Sequence, residues 1–295
     1  MTQNTNKKNI IVAILTDWSE AFTSEDGSFY CGTQEEDKLR TNEIINISDL
    51  VIAATDLHPL NAPEFVTNGG LFPVHDLVLP EQYDKDFVYA ITPEGVELRL
   101  GDKTVSPQLT ETIYDAVKDR KGSIIVPRGV YFQGGNVTPF CTPDDIEKTF
   151  DERIISVDEF IEGDFDYIVA PKQYFDATRL DSDIVMPDSK HQGIPDVNYN
   201  VFDLLEKKYP GDEYEITLIN TGVVEGICRL HTSSGLRQMF PRSRMINIAD
   251  ATTALYGIGL GYETAEQSRD ACERVGKDIG IEYMTTKKCV EEFRK

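Results

Sequence analysis

Six short apolar runs, separated by segments of helical spacing, constrain this chain more than any other feature. The clearest is Ile10-Ile-Val-Ala-Ile-Leu15. It shows no alternation of polar and apolar residues, so it suits a strand buried on both faces, as in a parallel sheet. Residues 50–54, 167–170, 216–219 and 245–248 read the same way, and 281–284 is a weaker sixth. Thr33-x-x-Glu36 has the form of a capping box opening a helix that runs to about Asn46. Residues 197–208, 226–239 and 264–275 also carry helical spacing. Strands alternating with helices predict an α/β fold with a mostly parallel sheet. In such sheets ligands sit at the C-terminal ends of the strands.

The stretch 77–164 breaks this rhythm. It holds short segments such as Val96-Glu-Leu-Arg-Leu100 and Ser123-Ile-Ile-Val-Pro127. Turn-rich sequence surrounds them, including Thr92-Pro-Glu-Gly95, Gly134-Gly-Asn136 and Thr142-Pro-Asp-Asp145. The expectation is one domain over 1–295, with a partly β insertion at 77–164.

Charge and composition exclude several roles. The chain has 29 basic and 51 acidic residues, a net charge of −22. That field repels phosphate backbones, and no local basic patch offsets it, so nucleic acid is not an expected partner. The run from Ile10 to Leu15 falls far short of the ~20 apolar residues that span a bilayer. The polar start, Met1-Thr-Gln-Asn-Thr-Asn-Lys-Lys, has no signal-peptide core. The expectation is a cytoplasmic protein without membrane contact. Cys31, Cys141, Cys228, Cys272 and Cys289 are widely spaced and odd in number, which reads as reduced thiols.

The polar residues just after the strands are the informative ones. Asp17 follows the first strand, Asp56 and His58 the second, and Lys172 the third. Gly222 follows the fourth and leads to Cys228 at the start of a helix. Taken singly, each has a bland explanation as a cap or as core filling. Taken together, they bring an Asp, a Lys and a Cys to one edge of one sheet.

In this order the motifs resemble those of the isochorismatase-like cysteine hydrolases, and most closely the nicotinamidase branch. The opening Asp-x-Gln-x-x-Phe is matched by Asp17 and Phe22, with Ser19 in the Gln place. Asp-x-His-Pro is matched by Asp56-Leu-His58-Pro59, and Trp-Pro-x-His by Phe72-Pro-Val-His75. The lysine element is matched by Lys172-Gln-Tyr174-Phe175 with Thr178-Arg-Leu180, and the cysteine element by Gly222-Val-Val-Glu-Gly-Ile-Cys228. Thr232 and Ala249-Asp250-Ala251 agree downstream. The likeness covers about 10–76 and 166–285. It implies a three-layer α/β/α fold on a six-stranded sheet. Glu225-Gly226, where the family has Thr-Asp, departs from the pattern.

The resemblance also implies a chemistry. A thiol of ordinary pKa ~8.5 is mostly protonated at neutral pH and needs a base and a cation to become a nucleophile. Asp17 would take the Cys228 proton and Lys172 would stabilise the thiolate, helped by the helix N-terminus. The backbone N–H groups of Val224 and Cys228 would form the oxyanion hole, after a cis peptide between Val223 and Val224. Asp17 would then protonate leaving ammonia and activate the water that cleaves the thioester. Phe22 and Phe72 would sandwich a flat ring. Asp56, His58 and His75, with Glu64 where the family often has a third His, form a mixed N/O set for one divalent ion: zinc first, iron or manganese otherwise.

The expected activity is conversion of nicotinamide to nicotinate and ammonia, serving NAD salvage, with a small-molecule amide as partner. A cysteine hydrolase of another small amide, or a non-catalytic binding or assembly protein on the same fold, remains open. The added acidic surface also leaves a homo-oligomer open.

Overall fold

The structure is a computed structural model. It describes residues 7–23, 25, 27, 29–56, 64–65, 69–73, 75, 77–78, 87–92, 95–100, 103–104, 124–125, 157–165, 167–172, 174–179, 201–257 and 261–294. The strands are β1 (Lys8–Thr16), β2 (Leu50–Asp56), β3 (Leu77–Val78), β4 (Phe87–Thr92), β5 (Gly95–Leu100) and β6 (Lys103–Thr104). They continue with β7 (Ile124–Ile125), β8 (Tyr167–Lys172), β9 (Tyr214–Val223), β10 (Arg244–Thr253) and β11 (Glu282–Met284). All six apolar runs become strands of one sheet, in the order β11-β10-β9-β1-β2-β8. Every neighbouring pair is parallel, one step beyond the mostly parallel sheet expected.

The continuous apolar runs are explained by burial on both faces. Ile10, Val12 and Ile14 join one core cluster, with Phe202 and Leu205 of the helix Val201–Lys208 and Leu236 of the helix Leu230–Met239. Ile11, Ala13 and Leu15 join the other, with Ile44 and Ile45 of the helix Glu35–Ile47 and Val290 of the helix Thr286–Phe293. Each such side chain removed from water contributes about 1.5–3 kcal/mol, so neither face of β1 is expendable. Helices on both faces make the three layers.

The boundaries follow local chemistry. The box opening Glu35–Ile47 lies one residue later than expected. Gln34 is the cap, and its N–H donates to Asp37 Oδ2 at 3.1 Å. Thr33 instead bonds Thr253 across the domain, hydroxyl to hydroxyl at 3.0 Å. The expected helix from 226 is also split. Residues Glu225–Arg229 form a wide π turn, in which the Arg229 N–H reaches the Val224 carbonyl at 3.2 Å, and the α-helix starts at Leu230.

Within the stretch 77–164, β4, β5 and β6 pair antiparallel and β3 pairs with β7. The helix Val157–Glu162 also falls there. No helix among the described residues is long and apolar enough to cross a membrane.

Candidate active site

The parallel sheet points all its C-terminal ends to one edge, and the candidate residues are found there. Asp17 is the first residue beyond β1, Asp56 and Lys172 are the last residues of β2 and β8, and Cys228 lies in the turn after β9. Asp17 has φ +49°, a left-handed conformation uncommon outside glycine and tolerated best by Asn and Asp. Its N–H still donates to the Ala54 carbonyl at 2.8 Å, which holds the end of β1 against β2. Opposite it, Gly222 has φ +116°, and a Cβ there would stand 2.1 Å from the Thr16 carbonyl oxygen. Only glycine lets β9 lie this close to β1 where the site begins.

Asp17, Asp56, Lys172 and Cys228 are all buried. Lys172 Nζ lies 2.8 Å from Asp17 Oδ2 and also donates to Asp56 Oδ1. The Asp56 N–H donates to Asp17 Oδ1 at 3.1 Å. One oxygen from each carboxylate and Cys228 Sγ lie within 4.8 Å of one another. Such a trio has the donor types of a metal site, but the Lys172 ammonium already sits against both carboxylates. The cluster joins a thiol, two carboxylates and an ammonium, the groups a cysteine nucleophile requires.

The electrostatics suit a thiol that is armed by proton transfer. Burial, then the neighbouring Asp56, push Asp17 up to about 7, while Lys172 and the hydrogen bond with Cys228 oppose them. A base poised near the operating pH transfers protons most effectively. Burial, then Asp17, push the Cys228 thiol well above its ordinary value, with Lys172 opposing. Burial works against the Lys172 ammonium, but Asp17 and Asp56 outweigh it and hold the lysine charged. The resting thiol is therefore neutral, and its proton has an acceptor in hydrogen-bond contact. Among the other described cysteines, Cys31, Cys272 and Cys289 are free and buried. Burial pushes Cys272 up to about 11 and Cys289 up to about 12, as expected of inert thiols.

Asp56 has a second neighbour. His75 Nε2 lies 3.6 Å from Asp56 Oδ2 and 3.9 Å from Glu64 Oε1. His75 Nδ1 lies 2.7 Å from the Pro73 carbonyl oxygen, which leaves Nε2 as the ring nitrogen beside the two carboxylates. Glu64 is delivered by a tight loop. The Phe72 N–H donates to the Glu64 carbonyl at 2.9 Å, and a Cβ on Gly70 would fall 2.0 Å from that same oxygen. Of the set expected for a divalent ion, Asp56 and Glu64 each stand beside His75. His58 lies outside the described residues, as do His191 and Cys141.

The aromatic side chains around His75 are more than the expected pair. Phe22 packs edge-on to His75, with centroids 5.0 Å apart, but Phe29 stands between it and Phe72, at 5.5 Å and 5.3 Å. Phe65 packs on His75 and Phe175 on Phe72. Sequence reading named Phe22 and Phe72 and missed Phe29, Phe65 and Phe175. Phe175 lies three residues beyond Lys172, and that closeness was the available signal. Thr232, buried in the helix after Cys228, accepts the Ala177 N–H at 3.1 Å and donates to the Phe175 carbonyl at 3.1 Å. It clamps the loop after β8 to the nucleophile helix. His231 is exposed, with its ring centroid 5.9 Å from that of Phe175.

The π turn is braced from below. Arg229 is fully buried and pairs with buried Glu225, Nη2 to Oε2 at 2.8 Å, and donates to the Ile248 carbonyl at 2.6 Å. The cis peptide between Val223 and Val224 is present.

This geometry belongs to a known fold. No protein-family model matches the chain, and no curated protein matches it. Solved structures similar to it are nicotinamidases, pyrazinamidases and isochorismatase-like cysteine hydrolases, at 11–15% identity. An isochorismatase-like hydrolase from Alkaliphilus metalliredigens matches at TM-score 0.50 and 12% identity, over 97% of this chain and 100% of that one. PnC1 from L. infantum, solved with nicotinate, matches at 0.49 and 14%, over 94% and 93%. The pyrazinamidase of Pyrococcus horikoshii, solved with zinc, matches at 0.46 and 13%, over 93% and 98%. The likeness is one of fold: this chain has the isochorismatase-like α/β fold.

Proposed function

We propose that this protein is a metal-dependent cysteine amidohydrolase that converts nicotinamide and water to nicotinate and ammonia in NAD salvage. The observation that carries the reading is the meeting of Asp17, Lys172 and Cys228 at one sheet edge, with Glu64 and His75 close to the neighbouring Asp56. Asp56 adjoins both groups, through Oδ1 to Lys172 and through Oδ2 toward His75.

Asp17 accepts the Cys228 proton as Sγ attacks the carboxamide carbon, and Lys172 stabilises the thiolate in transit. The N–H groups of Val224 and Cys228 receive the oxyanion. Asp17 returns its proton to the leaving ammonia, then takes one from the water that cleaves the thioester. The aromatic pocket of Phe22, Phe29, Phe72 and Phe175 receives the flat ring. A divalent ion, zinc by preference, would be held by Asp56, Glu64 and His75 and would supply a Lewis-acid contact that orients a pyridine nitrogen. The net charge of −22 disfavours a nucleic-acid partner and fits a small-molecule substrate, and we place the enzyme in the cytoplasm as part of the same proposal.

The test is ammonia release from nicotinamide by purified protein, with and without a chelator. Chelator-sensitive release, restored by zinc, iron or manganese, is expected. No release with any of the three ions overturns nicotinamide as substrate.

A further inference from the structure

The cysteine turn of this chain carries Glu225 and Arg229, and the mechanism above uses neither. They are the first and last residues of the five-residue π turn that holds Cys228. Glu225 directly follows Val224 and Arg229 directly follows Cys228, so each member of the pair is the chain neighbour of one expected backbone donor of the oxyanion hole. Arg229 Nη2 contacts both Glu225 oxygens, at 3.0 and 2.8 Å, and Nη1 ties the turn to the Ile248 carbonyl on β10. The Arg229 carbonyl in turn accepts from Asn220 Nδ2 on β9 at 3.3 Å. The N–H groups of Ile227 and Arg229 both donate to the Val224 carbonyl, at 3.1 and 3.2 Å, so the turn is wider than an α-helical one. A buried ion pair is a poor source of stability, because apolar side chains of similar volume often serve equally well. What it supplies here is fixed geometry.

We infer that the Glu225–Arg229 pair is the positioning device of the oxyanion hole, setting where the N–H groups of Val224 and Cys228 point. The inference rests on Cys228 as nucleophile but not on nicotinamide as substrate. It departs from a merely structural role in one respect. A pyridine ring without a carbonyl or carboxylate group leaves the oxyanion donors unused, whereas a tetrahedral adduct engages them.

The experiment compares the parent protein with Arg229→Lys and with the double variant Glu225→Gln/Arg229→Met, which leaves no unpaired buried charge. Two ligands are titrated: pyridine-3-carbaldehyde and 3-methylpyridine. The aldehyde adds Cys228 Sγ to its carbonyl carbon, and the thiol proton passes to the former carbonyl oxygen, giving a hemithioacetal. In the folded double variant, aldehyde affinity and kcat are each expected to fall about 100-fold, the usual scale for a lost oxyanion donor, with 3-methylpyridine affinity and KM within about threefold. Arg229→Lys, which keeps the charge without the fork, is expected to fall between variant and parent. Aldehyde affinity within about threefold of the parent, or an equal loss for both ligands, overturns the inference. If the double variant does not fold, Arg229→Lys decides on the same ratio: a selective loss of about tenfold or more supports it, and none overturns it. A parent that forms the adduct yet releases no ammonia sinks only the nicotinamide reading. A parent that forms no adduct sinks both.

Discussion

Replacing Thr232 by Val tests whether the loop after β8 is held by the nucleophile helix. Thr232 and Ala177 are both buried, so water does not easily substitute for the lost hydroxyl. Valine keeps the shape and removes two hydrogen bonds, each 3.1 Å long. The net value of such bonds is about 1 kcal/mol each, and a stranded buried N–H adds about 1–3 kcal/mol in place of its share. The expected loss is therefore about 2–4 kcal/mol if the loop stays in place. If the loop lifts to find water, the loss is smaller and reappears in substrate binding, because Phe175 rides on it. Urea unfolding measures the first quantity and KM the second. Thr232→Ser, which keeps the hydroxyl and drops one methyl, is expected to cost only about 0.8 kcal/mol. If Thr232→Val matches the parent within about 0.3 kcal/mol and leaves KM unchanged, the clamp does not exist.

Cys228→Ala is expected to leave less than about one part in 10³ of turnover with the fold intact; activity near the parent level would falsify the nucleophile assignment. Gly222→Ala forces a Cβ to within 2.1 Å of the Thr16 carbonyl oxygen at φ +116°, and is expected to cost more than about 2 kcal/mol; an unchanged melting curve would show that β9 can give way. The hydrogen bonds from Arg244, at 2.9 and 2.7 Å, hold the Glu282 carboxyl below its ordinary value. A carboxyl lowered in the folded state stabilises it above the unfolded value of 4.5, and that contribution is lost as pH falls below it. Because both groups are well exposed, the loss is expected to be at most about 0.5 kcal/mol. Glu282→Gln should erase it, and a variant with the parent's full acid dependence would show that the pair contributes nothing.

The sheet was legible because burial on both faces leaves a strong mark: an uninterrupted apolar run such as 10–15 has few other uses. The site was legible where a residue stands at a strand end, as Asp17, Asp56 and Lys172 do, since the topology alone brings such positions together. Contacts that depend on how a loop folds back left no such mark. Phe29 separates Phe22 from Phe72 because its loop returns over the pocket, and no spacing rule encodes that return. The shift of the helix cap from Thr33 to Gln34 is of the same kind, for Thr33 was claimed by a tertiary partner, Thr253. The Glu225–Arg229 pair was readable as a helical four-residue spacing, but its full burial was not. A charged pair at that spacing usually faces solvent.

Asp56, which joins the two halves of the site, meets its neighbours across very unequal lengths of chain. It lies 39 residues from Asp17 and 116 from Lys172. Closing the longer loop costs about 1 kcal/mol more in chain entropy than closing the shorter one. Among the described residues, the strand that brings the ammonium is an edge strand paired with β2. Cys228 stands farther off still, 211 residues from Asp17 and 56 beyond Lys172. It is the last of the four to be synthesised, so a chain emerging from the ribosome carries the carboxylates and the ammonium before the thiol they adjoin.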